Sequence, residues 1–204
     1  METTKSARLL RIARDALAKR AGAAEEEGAE AGFTLIELMV VLLIMAILLA
    51  IAIPTFLGVK GGAQDRAAQS NLSNALISSK SIYATAGTYP ANITATLATQ
   101  EPELSFLAPA GVPANNNQVS LAVSASGNSL FLVDVSASNN GTCWGLADNN
   151  GDAVAQATGN APTGTSYAAW PGGANNANCN ATYLLANAQA ADWHTSYPSA
   201  GAAL

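Results

Sequence analysis

Hydrophobic and polar positions divide the chain into four zones. Residues 1–32 are charged and alanine-rich, with Arg8, Arg11 and Arg14 spaced to share one helix face. Residues 33–53 are apolar except for Thr34 and Glu37, and Leu38 to Ile53 is an unbroken apolar run. At 1.5 Å per residue this zone makes roughly 31 Å of helix, about the thickness of bilayer hydrocarbon. Residues 54–86 turn polar, yet small or apolar residues recur at 68, 72, 75, 76, 79, 82 and 83. That i, i+3, i+4 rhythm predicts an amphipathic helix, ending near Ala86–Pro90 where Gly87 and Pro90 stop it. A continuous helix over 33–85 would be about 80 Å long, too long to lie inside one small domain, so part of it should project.

From residue 87 onward, Asn, Gly, Ser, Thr and Pro dominate and the alternation becomes short. Gln118–Ala125 and Asn128–Val135 alternate around Ser126-Gly127, which predicts a hairpin. Thr142–Ala147 and Ala153–Ala157 flank the turn signal Asn149-Asn150-Gly151. Residues 164–170 fit an edge strand and 171–180 a loop, while Tyr183–Ala191 suits a helix or a strand equally. No internal repeat is present. The pattern predicts an α+β fold: a long N-terminal helix whose second half packs on a small antiparallel sheet.

Charge adds an orientation. Residues 1–32 hold six basic and six acidic groups, and the rest of the chain three basic and eight acidic. Basic residues before the apolar zone, with none after it until Lys60, predict a cytoplasmic N-terminus. Beyond residue 60 only Arg66 and Lys80 are basic, so the basic stripe of a nucleic-acid binder is lacking and no nucleic-acid partner is expected. The two cysteines, Cys143 and Cys179, lie beyond the apolar segment, and an even, minimal count suits one disulfide in an oxidising compartment. Two unpaired buried thiols are the plainer alternative. Closing that loop should stabilise by roughly 4 kcal/mol, with Trp144 expected to pack near the bridge.

The junction of the first two zones reads Gly32-Phe33-Thr34-Leu35-Ile36-Glu37-Leu38. This string resembles the recognition sequence of type IV prepilins, of the class III type: Gly before the cut, Phe at the new N-terminus and Glu as the fifth mature residue. The resemblance runs through the apolar zone and the amphipathic helix, over roughly residues 30–85, and leaves the region beyond 90 undetermined. It implies a leader at 1–32 cut by a prepilin peptidase between Gly32 and Phe33, and N-methylation of Phe33. It further implies a filament-core helix over 33–53 that continues into the amphipathic helix over 54–86, while the alternation beyond it is what predicts a β-rich globular domain over 87–204 with one disulfide loop. In that family the glutamate sets subunit register against a neighbour's N-terminal amine.

Physical chemistry supports the same role for Glu37. A carboxylate one turn into a membrane helix is disfavoured by roughly 2.5–3.5 kcal/mol at mid-bilayer, so it is expected to be paired and functional. The bland alternative is an interfacial charge that snorkels. Gly32 lacks a Cβ and so allows close approach by a protease. Pro54, followed by Gly58, Gly61 and Gly62, predicts a bent or locally unwound stretch. The leader departs from the family pattern: Glu25, Glu26, Glu27 and Glu30 occupy the approach to the cleavage glycine, where basic residues are usual.

The expected function is therefore a structural filament subunit, a major pilin by virtue of Glu37. Its partners would be other copies of itself in a helical filament, the peptidase, the pilus assembly machinery and, before assembly, the cytoplasmic membrane. A type II secretion pseudopilin shares the leader motif and would be favoured by a calcium loop in place of the disulfide. A minor pilin in adhesion or DNA uptake is the third reading. Ala50-Ile51-Ala52 also resembles a signal-peptidase site, which would release a free secreted domain. Asp148-Asn149-Asn150-Gly151-Asp152 clusters hard oxygen ligands but lacks the spacing of a calcium loop. His194 has no catalytic partners in sequence, and no cofactor, metal or enzymatic activity is expected.

Overall fold

The computed structural model describes residues 32–136, 141–153 and 159–198. The chain divides into two units, residues 1–53 and 54–204. In the first, the described part is Gly32–Thr34 followed by the start of helix α1, Leu35–Ala86. Large apolar side chains from Phe33 through Ile53 are exposed. This is a helix long and apolar enough to cross a membrane, with a mean hydropathy of 3.1 over its apolar window.

In the second unit, α1 continues and turns amphipathic. Ala68, Leu72, Ala75, Leu76 and Ser79 form its buried stripe, as the spacing predicts, with Ile82 and Tyr83 partly buried beside them. Small residues at 68, 75 and 79 let the helix backbone come close to the sheet, and the buried Ser79 hydroxyl is satisfied by donating to the Ala75 carbonyl at 2.6 Å. The helix stops at Gly87, whose φ of 75° suits a residue without Cβ and whose N–H closes on the Tyr83 carbonyl at 2.7 Å. Helix α2, Ile93–Gln100, follows and buries Ile93 and Leu97.

Five strands form one sheet in the order β1-β2-β3-β4-β5: Ser105–Leu107, Gln118–Val123, Ser129–Val135, Thr142–Asn149 and Gly164–Pro171. β1 pairs parallel with β2 and the other pairs are antiparallel, so the architecture is the expected α+β. The β2–β3 hairpin turns through Gly127 at φ 72°. Side chains alternate between two cores. Leu121, Leu130, Leu132, Trp144 and Leu146 join the α1 stripe. Ala122, Phe131, Val133, Val135, Cys143 and Trp170 join the opposite core with Leu184 of helix α3, Ala181–Asn187. Because both faces are covered, all seven residues of β3 are buried.

Three local expectations change. The partner of β4 is the edge strand at 164–171, in register from Thr142↔Pro171 to Asn149↔Gly164; most of the strand anticipated at 153–157 lies outside the described residues. Tyr183–Ala191 resolves into α3 and a short 3-10 turn, Ala190–Asp192, because Asn180 caps α3 by accepting from the Tyr183 N–H at 2.8 Å. The parallel strand β1 and helix α2 were not anticipated.

Candidate functional site

The segment Gly32–Glu37 is built as a helix start. Gly32, Phe33 and Thr34 are non-helical and exposed, and nothing lies within 4 Å of where a Gly32 Cβ would be. Phe33 is 89% exposed. Thr34 precedes the first helical residue, and Glu37 is the acid of the first turn. Glu37 Oε2 accepts from the Thr34 N–H at 2.9 Å and from Thr34 Oγ1 at 2.8 Å, while the Glu37 N–H donates back to Thr34 Oγ1 at 3.2 Å. This is a reciprocal capping box, the Thr-x-x-Glu arrangement that satisfies orphan N–H groups at a helix N-terminus. The Thr-x-x-Glu spacing is present in the sequence, where the surrounding apolar run makes Thr34 look like a mere interruption. A carboxylate in this position is also favoured by the helix dipole.

Residues 28–53 match the family model of the prokaryotic N-terminal methylation motif. The match supports a type IV pilin-like prepilin, and more broadly a pilin or pseudopilin. Such a motif points to a structural protein, to processing by a prepilin peptidase and to assembly into a pilus, and the apolar helix fits a membrane anchor. It ends at Ile53 and carries no information about the sheet. No curated protein and no solved structure matches the chain.

The remaining prepilin-motif positions fall as follows. Of the leader expected at 1–32, residues 1–31 lie outside the described residues. Pro54 sits inside α1, and the helix runs without interruption through Gly58, Gly61 and Gly62, so the local unwinding envisaged there is absent from this structure. Pro54 removes a single backbone hydrogen bond, the one to the carbonyl four residues before it, and α1 continues as helix on both sides.

Cys143 and Cys179 are joined, with Cα atoms 5.0 Å apart. The expectation that Trp144 packs at the bridge is corrected by strand alternation. Trp144 points to the α1 face and donates its indole N–H to Asp65 Oδ1 at 3.2 Å. Trp170, the cross-strand partner of Cys143, shares the bridge's core instead. Gly172 also crowds the bridge: a Cβ there would lie 3.0 Å from Cys179 Sγ.

The 148–152 carboxylates are engaged by the protein. Asp148 Oδ1 meets Lys80 Nζ at 3.0 Å and Thr165 Oγ1 at 2.8 Å. Its Oδ2 accepts from the Tyr89 hydroxyl at 2.6 Å and from Asn150 at 3.1 Å. Asp152 accepts from the Ser126 hydroxyl. No group of three or more potential metal ligands occurs among the described residues. His194 is exposed and takes part through its backbone, bridging to Tyr167.

Proposed function

We propose that the chain is the precursor of a structural subunit, a major pilin, of a type IV pilus. One observation carries this reading: a capped carboxylate stands one turn into an exposed apolar helix, just after a Gly-Phe junction left outside that helix. A peptidase needs accessible, non-helical backbone at the bond it cuts, and Gly32 and Phe33 are exposed and lie ahead of the first helical residue. Cleavage removes residues 1–32 and turns the Phe33 nitrogen into an amine that the same enzyme can methylate. Before assembly, residues 33–53 hold the chain in the cytoplasmic membrane; afterwards they pack with the same helix of other copies in the extracellular filament. Residues 54–86 and 87–204 form the amphipathic helix and the disulfide-closed globular part. Glu37 then pairs with the Phe33 ammonium of a neighbour, which removes an uncompensated charge from an apolar interior.

The pseudopilin reading is less favoured, because a disulfide is present and the 148–152 carboxylates accept from protein donors rather than standing open to calcium. Mass spectrometry of the mature N-terminus tests the core of the proposal: it should begin at Phe33, carrying a methyl group. A product beginning at Ile53 would instead mean signal-peptidase release and no filament. Separately, Glu37→Ala should insert normally and yield few or no filaments, and wild-type filament yield from that variant rejects the assembly role.

A further inference from the structure

This inference rests on the filament reading and concerns how Glu37 is made ready for it. In the precursor the Phe33 nitrogen is an amide, so no ammonium yet exists beside the acid. Among the described residues, the donors that reach the carboxylate both come from Thr34, and both fall on the same oxygen, Oε2. Oε1 accepts from no described residue, and the side chain is exposed. The arrangement therefore divides the carboxylate: one oxygen is committed to the cap and the other is open. A long glutamate side chain on an exposed helix would otherwise sample several rotamers, each of which would have to be frozen out on docking. The Thr34 hydroxyl removes that freedom from both sides, donating to Oε2 and accepting from the Glu37 N–H.

We propose that Thr34 is the positioning residue for Glu37: it fixes the carboxylate through Oε2 and leaves Oε1 to receive the ammonium of a neighbouring subunit. Cap and inter-subunit ion pair are then simultaneous, and the helix keeps its N-terminal bonds while the filament grows. Thr34 also holds the start of α1 at Leu35, which keeps the Gly32–Phe33 bond outside the helix.

The test uses the full-length chain in cells with the complete assembly machinery, scoring filament yield per processed, membrane-inserted subunit. Thr34→Ser keeps the hydroxyl and should assemble within about two-fold of wild type. Thr34→Val keeps shape and loses the hydroxyl; its yield should fall at least about five-fold, as for the loss of one hydrogen bond to a charged acceptor. In a Glu37→Gln background, Thr34→Val should add little, because the group it positions is already gone. Wild-type yield from Thr34→Val, equal losses from Val and Ser, or multiplying losses in the double variant overturns the proposal. So does a Thr34→Val defect that appears solely as uncleaved precursor, which would make the hydroxyl a peptidase contact. Normal assembly of Glu37→Ala would sink the filament role itself, whereas a defective Glu37→Ala beside a normal Thr34→Val sinks Thr34 alone.

Discussion

Asp134 and Asp148 lie on the α1-facing side of the sheet and respond to pH in opposite senses. Burial raises the Asp148 carboxyl, but donors from Tyr89, Lys80 and Thr165 outweigh it and hold the group below the ordinary carboxylate range. Asp134 is fully buried; among the described residues one of its oxygens has no partner and the other accepts from the adjacent Val135 N–H at 2.6 Å. Burial pushes it up to about 9, against the lowering effect of that N–H. The linkage follows. Asp148 contributes stability that is present above its unfolded value and lost as pH falls through the lower folded one. Asp134 takes up its proton more readily when folded, so its contribution is complete below the unfolded value, near 4, and declines as pH rises towards 9. Asp134→Asn should therefore melt close to wild type at pH 5 and higher than wild type at pH 8 to 9, read by thermal unfolding of the detergent-solubilised chain. A temperature difference that does not grow with pH would refute the assignment. Asp134 does not announce itself in sequence, because burial without a partner is a property of sheet pairing: it stands opposite Trp144 only once β3 and β4 are in register.

At the scale of elements, the buried stripe of α1 was fully legible, since its 3.6-residue period depends on the segment alone. Leu72 is 0% exposed and Ile77, on the same helix, is 67% exposed. Leu72→Ala should destabilise the folded chain by about 2–5 kcal/mol, while Ile77→Ala should stay within about 0.5 kcal/mol; chemical denaturation of the two variants checks the contrast, and equal losses would mean the stripe is misassigned. The β2–β3 hairpin was legible for a similar local reason, a glycine at the one position with positive φ. By contrast, α2 has Thr at three of eight positions, Thr94, Thr96 and Thr99, and β-branched residues weaken a helical signal. β1 is three residues long and its pairing is parallel to a strand further along the chain. Neither length nor local alternation could announce it. The Thr34–Glu37 box is readable from spacing alone, a Thr three residues ahead of a Glu at the start of the apolar run.

For the molecule as a whole, the number of strands and the β2–β3 pairing were readable, but the partner of β4 was not. Placing Gly164–Pro171 beside β4 requires knowing that the turn after Asn149 leads away from a tight hairpin, a choice made by packing against the second core. The cysteine pairing was anticipated from count and compartment, whereas the face it occupies depends on which way Cys143 points. Replacing both cysteines by serine opens a loop of sequence separation 36 and should cost about 4 kcal/mol. That is a large share of the stability of a domain of this kind, and it should appear as a lower midpoint in urea. An unchanged midpoint would show that the second core closes without covalent help.

Both sulfurs are fully buried beneath α3 and the loop that precedes it. Solvent oxidants and reductants therefore have no route to them while that cover is in place. Forming the bond, like breaking it, then requires the cover to be open. The rate at which dithiothreitol breaks the bond in the native chain should then equal the rate at which the cover lifts, independent of reductant concentration once that is high. Reduction of the bond then reports the opening of this cover rather than the strength of the reductant.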